Sequence, residues 1–178
     1  PADLADLLPA ADVMVTTATR EEPAALVAEH RSSAQVFVVP SLYFTALHPD
    51  LSQFLLVGGG ELTALAGPYH SKLVVWGWAN GVPPEQILAW FNPDTFARLG
   101  YLEQWSAGVA QLRGRFEQTD IDFTSWYLPM ARRGAFMLTN NHPRLDALVQ
   151  MARPVAEKLG ADPSLVAYPW EQVLPDGL

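Results

Sequence analysis

The chain has 178 residues, of which 49% are hydrophobic and 17% charged, with six tryptophans and a formal net charge of -8. Such a length suggests one domain with a substantial core and leaves two small domains open, and so apolar a chain, against about 25% charged residues in an average globular domain, is not a disordered one. The acidic total disfavours non-specific nucleic-acid binding.

So little charge to cover the surface predicts an exposed apolar patch for a ligand or a second subunit, which leaves a homo-oligomer open. There is no cysteine, which excludes disulfides, thiolate metal sites and a cysteine nucleophile within this chain. No apolar run approaches the roughly 20 residues that span a bilayer, and no secretory signal is visible, so a cytoplasmic protein is the default expectation. The basic residues are unevenly placed. Before Lys72 the only cations are Arg20 and Arg31, whereas Arg98, Arg113, Arg115, Arg132, Arg133, Arg144 and Arg153 crowd the later part. A local basic face for a small polyanion and arginines scattered over a solvated surface fit this distribution equally.

Leu4, Leu7 and Leu8 fall at helical spacing and stop before Pro9. Residues 12–16 read as a short buried strand, residues 21–30 as a helix of about three turns opened by Glu21, Glu22 and Pro23, and residues 35–39 as a second strand ended by Pro40. Strand, helix and strand at this spacing predict a parallel βαβ unit with a right-handed crossover. Ligands in such sheets gather outside the carboxyl ends of the strands. Thr16-Thr17, Pro40-Ser41-Leu42-Tyr43-Phe44 and, soon after, His48-Pro49-Asp50 would lie there.

Gly58-Gly59-Gly60 is a flexible turn; it is followed by no Gly-Lys-Ser/Thr and gives no dinucleotide fingerprint. From Tyr69 to Arg115 the pattern is helical, with a stop near Asn80-Gly81 and new starts at Pro83-Pro84-Glu85 and Asn92-Pro93. Gly100 is expected to interrupt the helix begun at Asn92-Pro93. Leu102, Trp105, Val109 and Leu112 then repeat at helical spacing, and residues 120–126 stay ambiguous. Residues 135–139 read as a last buried strand, feeding Asn140-Asn141-His142-Pro143 and a helix that Pro154 should kink or divide. Tyr168 and Trp170 in the proline-rich tail are expected to dock on the body. The predicted architecture is a single α/β domain over 1–178, with a small parallel sheet and a helical insertion at about 69–133 between the second and last strands.

Three stretches carry candidate chemistry. Pro143 suits a first helical turn, which places Asn141 or His142 at a cap whose free amides attract anions; His142 there would serve as a general acid or base. Tyr69-His70-Ser71-Lys72 offers a second helix start with a lysine near its amides, suited to phosphate or carboxylate. Neighbouring residues on a helix do not face each other, so His70 does not activate Ser71, and the Gly-x-Ser-x-Gly elbow is absent. His48, His70, His142 and Asp50 lack close metal-ligand spacing such as His-Glu-x-x-His, so no metal is expected. An asparagine cap with a packed histidine, and a hydrogen-bonded loop histidine at His48, are the purely structural alternatives.

In order and separation, Pro40-Ser41-Leu42-Tyr43-Phe44, His48-Pro49-Asp50, Tyr69-His70-Ser71-Lys72, Gly81, Gly100-Tyr101 and Asn141-His142-Pro143 resemble the WcbI-type capsular polysaccharide biosynthesis proteins. The resemblance implies a bacterial protein with a fold similar to SGNH-type hydrolases, binding of coenzyme A or acetyl-coenzyme A, and O-acetyl transfer to a capsule or surface sugar. Family members begin with a strand and an Asn-Cys-Gln motif whose cysteine is the expected nucleophile. That motif has no counterpart here, which leaves a truncated form and a shortened homologue both open. On the resemblance, His142 is the candidate base and Asn141 an oxyanion or phosphate holder. His48, Asp50, Tyr69, His70, Ser71 and Lys72 would position substrate, and Arg132 and Arg133 would meet the coenzyme's phosphates. The rival expectations are a non-catalytic binding or assembly protein of the same fold and an SGNH-type serine esterase.

Overall fold

The computed structural model describes residues 7–17, 21–29, 32–64 and 67–170. In chain order the elements are β1 (Val13–Thr16), α1 (Glu21–Glu29), β2 (Gln35–Val38), β3 (Leu51–Ser52), β4 (His70–Ser71), α2 (Lys72–Ala79), α3 (Pro84–Ala89), α4 (Pro93–Arg98), α5 (Trp105–Phe116), α6 (Phe123–Arg133), α7 (Leu145–Lys158) and α8 (Pro163–Ala167). Short 3-10 turns occupy Leu8–Ala10 and Tyr101–Glu103. The helix expected at residues 2–8 lies outside the described residues apart from Leu7 and Leu8, as do Arg20 and Arg31. The chain divides into two compact units. One takes Pro1–Leu42, Leu112–Phe136 and Pro143–Leu178; the other takes Tyr43–Gln111 and Met137–His142.

In the first unit β1 and β2 pair in parallel, from Val13 opposite Gln35 to Thr16 opposite Val38, with α1 between them in the chain. Phe37 and Val38 are buried. The edge of β2 away from β1 is closed by one residue: the Asp120 carboxylate accepts from the Val38 N–H at 2.8 Å, and the Asp120 N–H donates to the Val38 carbonyl at 2.7 Å. Satisfying a strand edge in this way stops it from recruiting another chain. The core is aromatic. Trp126 lies against Phe116 and Phe136, with ring centroids 5.2 and 5.6 Å away, and its indole N–H donates to the Ala147 carbonyl at 3.0 Å. Helix α7 buries Ala147, Met151 and Val155, an i, i+4, i+8 stripe. Burial of the Met and Val side chains alone is worth about 1.5–3 kcal/mol each. Pro154 lies inside α7, which runs undivided from Leu145 to Lys158; of the two expected effects, a kink or a division, the division does not occur. The loss of one backbone donor is outweighed by that buried stripe.

In the second unit β3 and β4 form a two-residue antiparallel ladder, with Leu51 opposite Ser71 and Ser52 opposite His70. Between them the chain runs out along a hairpin in which the Leu62 N–H donates to the Phe54 carbonyl, and it turns at Gly58, Gly59 and Gly60, all with φ between 91° and 101°. Only glycine adopts such a backbone without strain. Asn80 caps α2 at its C-terminus and Gly81 takes a left-handed φ of 68°. Asn92 caps α4 by accepting from the Thr95 N–H at 2.9 Å. Both ends fall where the local residue chemistry puts them. The expected apolar exposure is here as well: Leu55, Val57, Trp78 and Leu88 are between 69% and fully exposed.

The last strand expected at residues 135–139 is a correction: this segment forms no strand. Leu138 N–H donates to the His142 carbonyl at 2.7 Å, which closes the chain into a tight loop over 138–142. Phe136 and Met137 are both buried, Phe136 in the first unit and Met137 in the second. Their apolar character reflects burial, which periodicity in so short a run does not separate from strand pairing. Helices α2–α6 are therefore not bracketed by a last strand, and the protein is a mixed α/β fold with a small parallel pair and many helices.

Candidate functional site

Every histidine-bearing turn of interest falls in the second unit, so the geometry of each can be compared. At the start of α2 the first three amides are already paired. Lys72 N–H donates to the Asp50 carbonyl at 2.8 Å, Leu73 N–H to the Asp50 carboxylate at 3.2 Å, and Val74 N–H to the Ser71 hydroxyl at 3.0 Å. Asp50, itself buried, occupies the place that a phosphate would take at a helix start. The anion these amides meet is thus the chain's own carboxylate. Tyr101 donates its hydroxyl to the same carboxylate at 3.1 Å; burial first, and then this hydrogen bond and the carboxylate charge, push the phenol pKa up to about 12.

The histidines separate by role. His48 Nε2 lies 2.9 Å from the Met137 carbonyl and His70 Nε2 lies 2.9 Å from the Leu62 carbonyl. A carbonyl only accepts, so each ring donates there and braces a loop. His142 is exposed. Its Nδ1 lies 2.6 Å from Thr139 Oγ1, and the Thr139 hydroxyl donates to Asn141 Oδ1 at 3.3 Å. One tautomer satisfies both bonds: Nδ1–H donates to Thr139, and Nε2 keeps its lone pair. Asn141 and His142 do not cap the following helix, which begins at Leu145 with Arg144 as N-cap; Pro143 lies before that cap.

A polar cleft of about 310 Å3 opens beside these turns. Its walls include Tyr43, Gln53, Tyr69, Lys72, Gln104 and Asn140, from five separate stretches of the chain. Asn140 is 2% exposed. Its amide N–H donates to the Leu51 carbonyl at 3.1 Å, while its Oδ1 is a buried acceptor with no hydrogen-bond partner. Such an orphan is costly unless a water or ligand donor completes it. Tyr69 joins the cleft to His142, with ring centroids 6.3 Å apart and nearly perpendicular. Burial, Tyr43 and Glu61 raise the Tyr69 pKa above its usual value, so its hydroxyl stays a proton donor at neutral pH. Lys72 directs Nζ to the Pro49 carbonyl at 2.8 Å, over the Tyr101 ring at 5.6 Å.

Of the residues singled out from sequence, Tyr69 and Lys72 line this cleft and His142 abuts Tyr69. His48, Asp50, His70 and Ser71 make the bonds that hold the turns around it. Arg132 and Arg133 stand exposed on the last turn of α6, in the first unit. No group of three His, Asp or Glu side chains suited to a metal occurs among the described residues. Asn140, Gln53 and Gln104 were not anticipated. The signal for Asn140 was its place in an Asn-Asn pair, where one residue buries and the other faces solvent.

A mixed α/β protein whose second unit carries a polar cleft is the class these features define. The chain belongs to the WcbI polysaccharide biosynthesis enzyme family, whose sequence profile matches residues 1–164. A solved structure of a WcbI has a TM-score of 0.68 to this chain at 19% identity, covering 93% of this chain and 57% of that one. That structure is described as a novel polysaccharide biosynthesis enzyme, in a native form without a disulfide bond between coenzyme A and one of its cysteines. At such identity the likeness shows the fold, and the chain spans a little over half the length of that relative. No curated relative matches.

Proposed function

We propose that the chain takes part in coenzyme A-dependent O-acyl transfer to a sugar in the biosynthesis of a bacterial capsule or surface polysaccharide, with the sugar seated in the polar cleft of the second unit. The observation that carries this reading is the buried, unpartnered Oδ1 of Asn140 in a cleft walled by amides and phenols. Sugar hydroxyls are donors as well as acceptors, and a buried acceptor beside Gln53, Gln104 and Tyr69 matches them. His142, whose Nδ1 is engaged by Thr139 while Nε2 is left open, is the base for the acceptor hydroxyl. An acyl thioester would supply the activated carbonyl.

Within this stretch, which holds no thiol, His142 would act on the hydroxyl directly; a cysteine elsewhere in a longer chain would be the alternative group for it to serve. Arg132 and Arg133 are adjacent, exposed guanidinium groups on one helix end and suit phosphates as a pair of cationic handles. Calorimetry with acetyl-coenzyme A tests the donor: the reading expects binding that weakens in Arg132→Ala and Arg133→Ala, and an absence of binding at millimolar concentration sinks it.

The lack of a cysteine favours a second reading, a sugar-binding or assembly protein of the same fold without catalysis. It predicts cleft-dependent sugar binding with no acyl transfer. The serine esterase has less behind it, because the Ser71 hydroxyl caps α2 and the His70 ring is turned to Leu62. A fluorophosphonate probe is expected to label no serine.

A further inference from the structure

A second cleft of about 590 Å3 lies in the same unit, lined by Leu73, Trp76, Trp90, Thr95, Leu99 and Tyr101 with two cations, Lys72 and Arg98. Its character is opposite to that of the polar cleft. The Trp76 and Trp90 rings meet at 5.6 Å, and Trp76 remains 59% exposed, an indole face open to a planar group. Arg98 is exposed on the last turn of α4, with no hydrogen-bond or ion-pair partner among the described residues. Lys72 lines both clefts. Its ammonium has three donors, one of them committed to Pro49, which leaves two for a ligand at either cleft.

An aromatic face, two cations and a polar cleft with a buried acceptor are chemistries that a nucleoside diphosphate sugar matches part by part. Bases stack on indole and tolerate variation in sequence because every base has a π-face. A diphosphate is met by guanidinium and ammonium groups. We infer that the acceptor is presented as a nucleoside diphosphate sugar: base on Trp76, diphosphate at Lys72 and Arg98, sugar in the cleft that ends on Asn140. This rests on the polar cleft being the sugar site, as proposed above, and adds the class of carrier. An apolar carrier such as a polyprenyl diphosphate would use the cations and leave the open indole face without a stacking partner.

The test is calorimetry and tryptophan fluorescence on the whole chain with uridine, cytidine, guanosine and adenosine diphosphates, uridine diphosphate glucose, coenzyme A and farnesyl diphosphate. At least one nucleoside diphosphate is expected to bind with submillimolar affinity and quench fluorescence. Trp76→Ala and Arg98→Ala should each weaken it about tenfold, Trp76→Phe should restore much of the loss, and Trp78→Ala, more exposed but outside the cleft, should change nothing. The sugar-bearing nucleotide should bind more tightly than the bare diphosphate, and Asn140→Ala should erase that increment alone. Absence of nucleotide binding at roughly 5 mM, binding indifferent to Trp76 and Arg98, displacement of the nucleotide by coenzyme A, or tight binding of farnesyl diphosphate alone would each overturn the inference. Acetyl transfer to a free sugar without nucleotide binding defeats this inference and leaves the acyl-transfer reading standing. Nucleotide-sugar binding without acetyl transfer does the reverse.

Discussion

Asp50 shows how one buried carboxylate decides the meaning of its neighbours. It takes the Leu73 amide and the Tyr101 hydroxyl, so the helix start that Tyr69-His70-Ser71-Lys72 announces is filled from inside. Tyr101→Phe should cost about 1.5–3 kcal/mol, the range for a hydrogen bond to a charged group, as read by chemical denaturation at pH 7. The sign of its pH dependence follows from the raised phenol pKa. Folding favours the protonated phenol, so this contribution is complete below pH 10 and is lost as pH climbs from about 10 to about 12. The stability gap between wild type and Tyr101→Phe should narrow across that window; a gap that widens there contradicts the arrangement. Asn140→Ala removes the donor to the Leu51 carbonyl together with the orphan acceptor. It should lower stability by about 1–3 kcal/mol and sugar affinity about tenfold. Loss of stability with unchanged sugar affinity would place the sugar elsewhere.

At the scale of elements, what the sequence made legible was local. Ser71 and Asn92 cap α2 and α4 because a short polar side chain before an apolar helix can bond back to its own amides, and that chemistry needs only three residues. The parallel pair β1–β2 was visible as two apolar runs on either side of a helix. The β3–β4 ladder was not, since two-residue strands have no periodicity and their pairing brings Leu51 opposite Ser71 from distant parts of the chain. The apolar run 135–139 was misread because burial of Phe136 and Met137 looks like a strand.

Two helix contacts give tests at this scale. A Cβ on Gly77 would lie 2.6 Å from two Ile87 side-chain carbons and 3.0 Å from Trp90. Gly77→Ala should therefore destabilise by about 1–3 kcal/mol through overpacking, set against about 1 kcal/mol gained in helix propensity; a more stable variant would refute the tight α2–α3 approach. Asp122 caps α6, and the bond from the Ser125 hydroxyl, followed by that from the Ser125 amide, lowers its pKa. Its contribution is present above the ordinary carboxyl pKa of 3.8 and disappears as pH falls through the lowered value. Thermal melts of Asp122→Ala should thus run below wild type at neutral pH and converge with it in acid; parallel melts at both pH values would argue against the cap.

For the molecule as a whole, the fold and the family are shown, and the candidate site is assembled from stretches far apart in sequence. Tyr43, Gln53, Tyr69, Gln104 and Asn140 share a cleft without sharing a motif, so no local spacing could announce it. The histidines could be recognised as candidates, but which of them brace loops depended on the partner each ring meets: carbonyls for His48 and His70, the Thr139 hydroxyl for His142. The proposed base, His142, is exposed and stands beside Tyr69 at the edge of this set.

The most direct test of this account is acetyl transfer from acetyl-coenzyme A to a sugar acceptor, comparing wild type with His142→Ala at equal folded concentration. Transfer by the wild type that falls about a hundredfold or more in the variant, the scale of losing a positioned general base, is the predicted result. Transfer unaffected by the substitution would contradict the role given to His142, and no transfer by the wild type despite sugar binding in the cleft would contradict the catalytic reading itself.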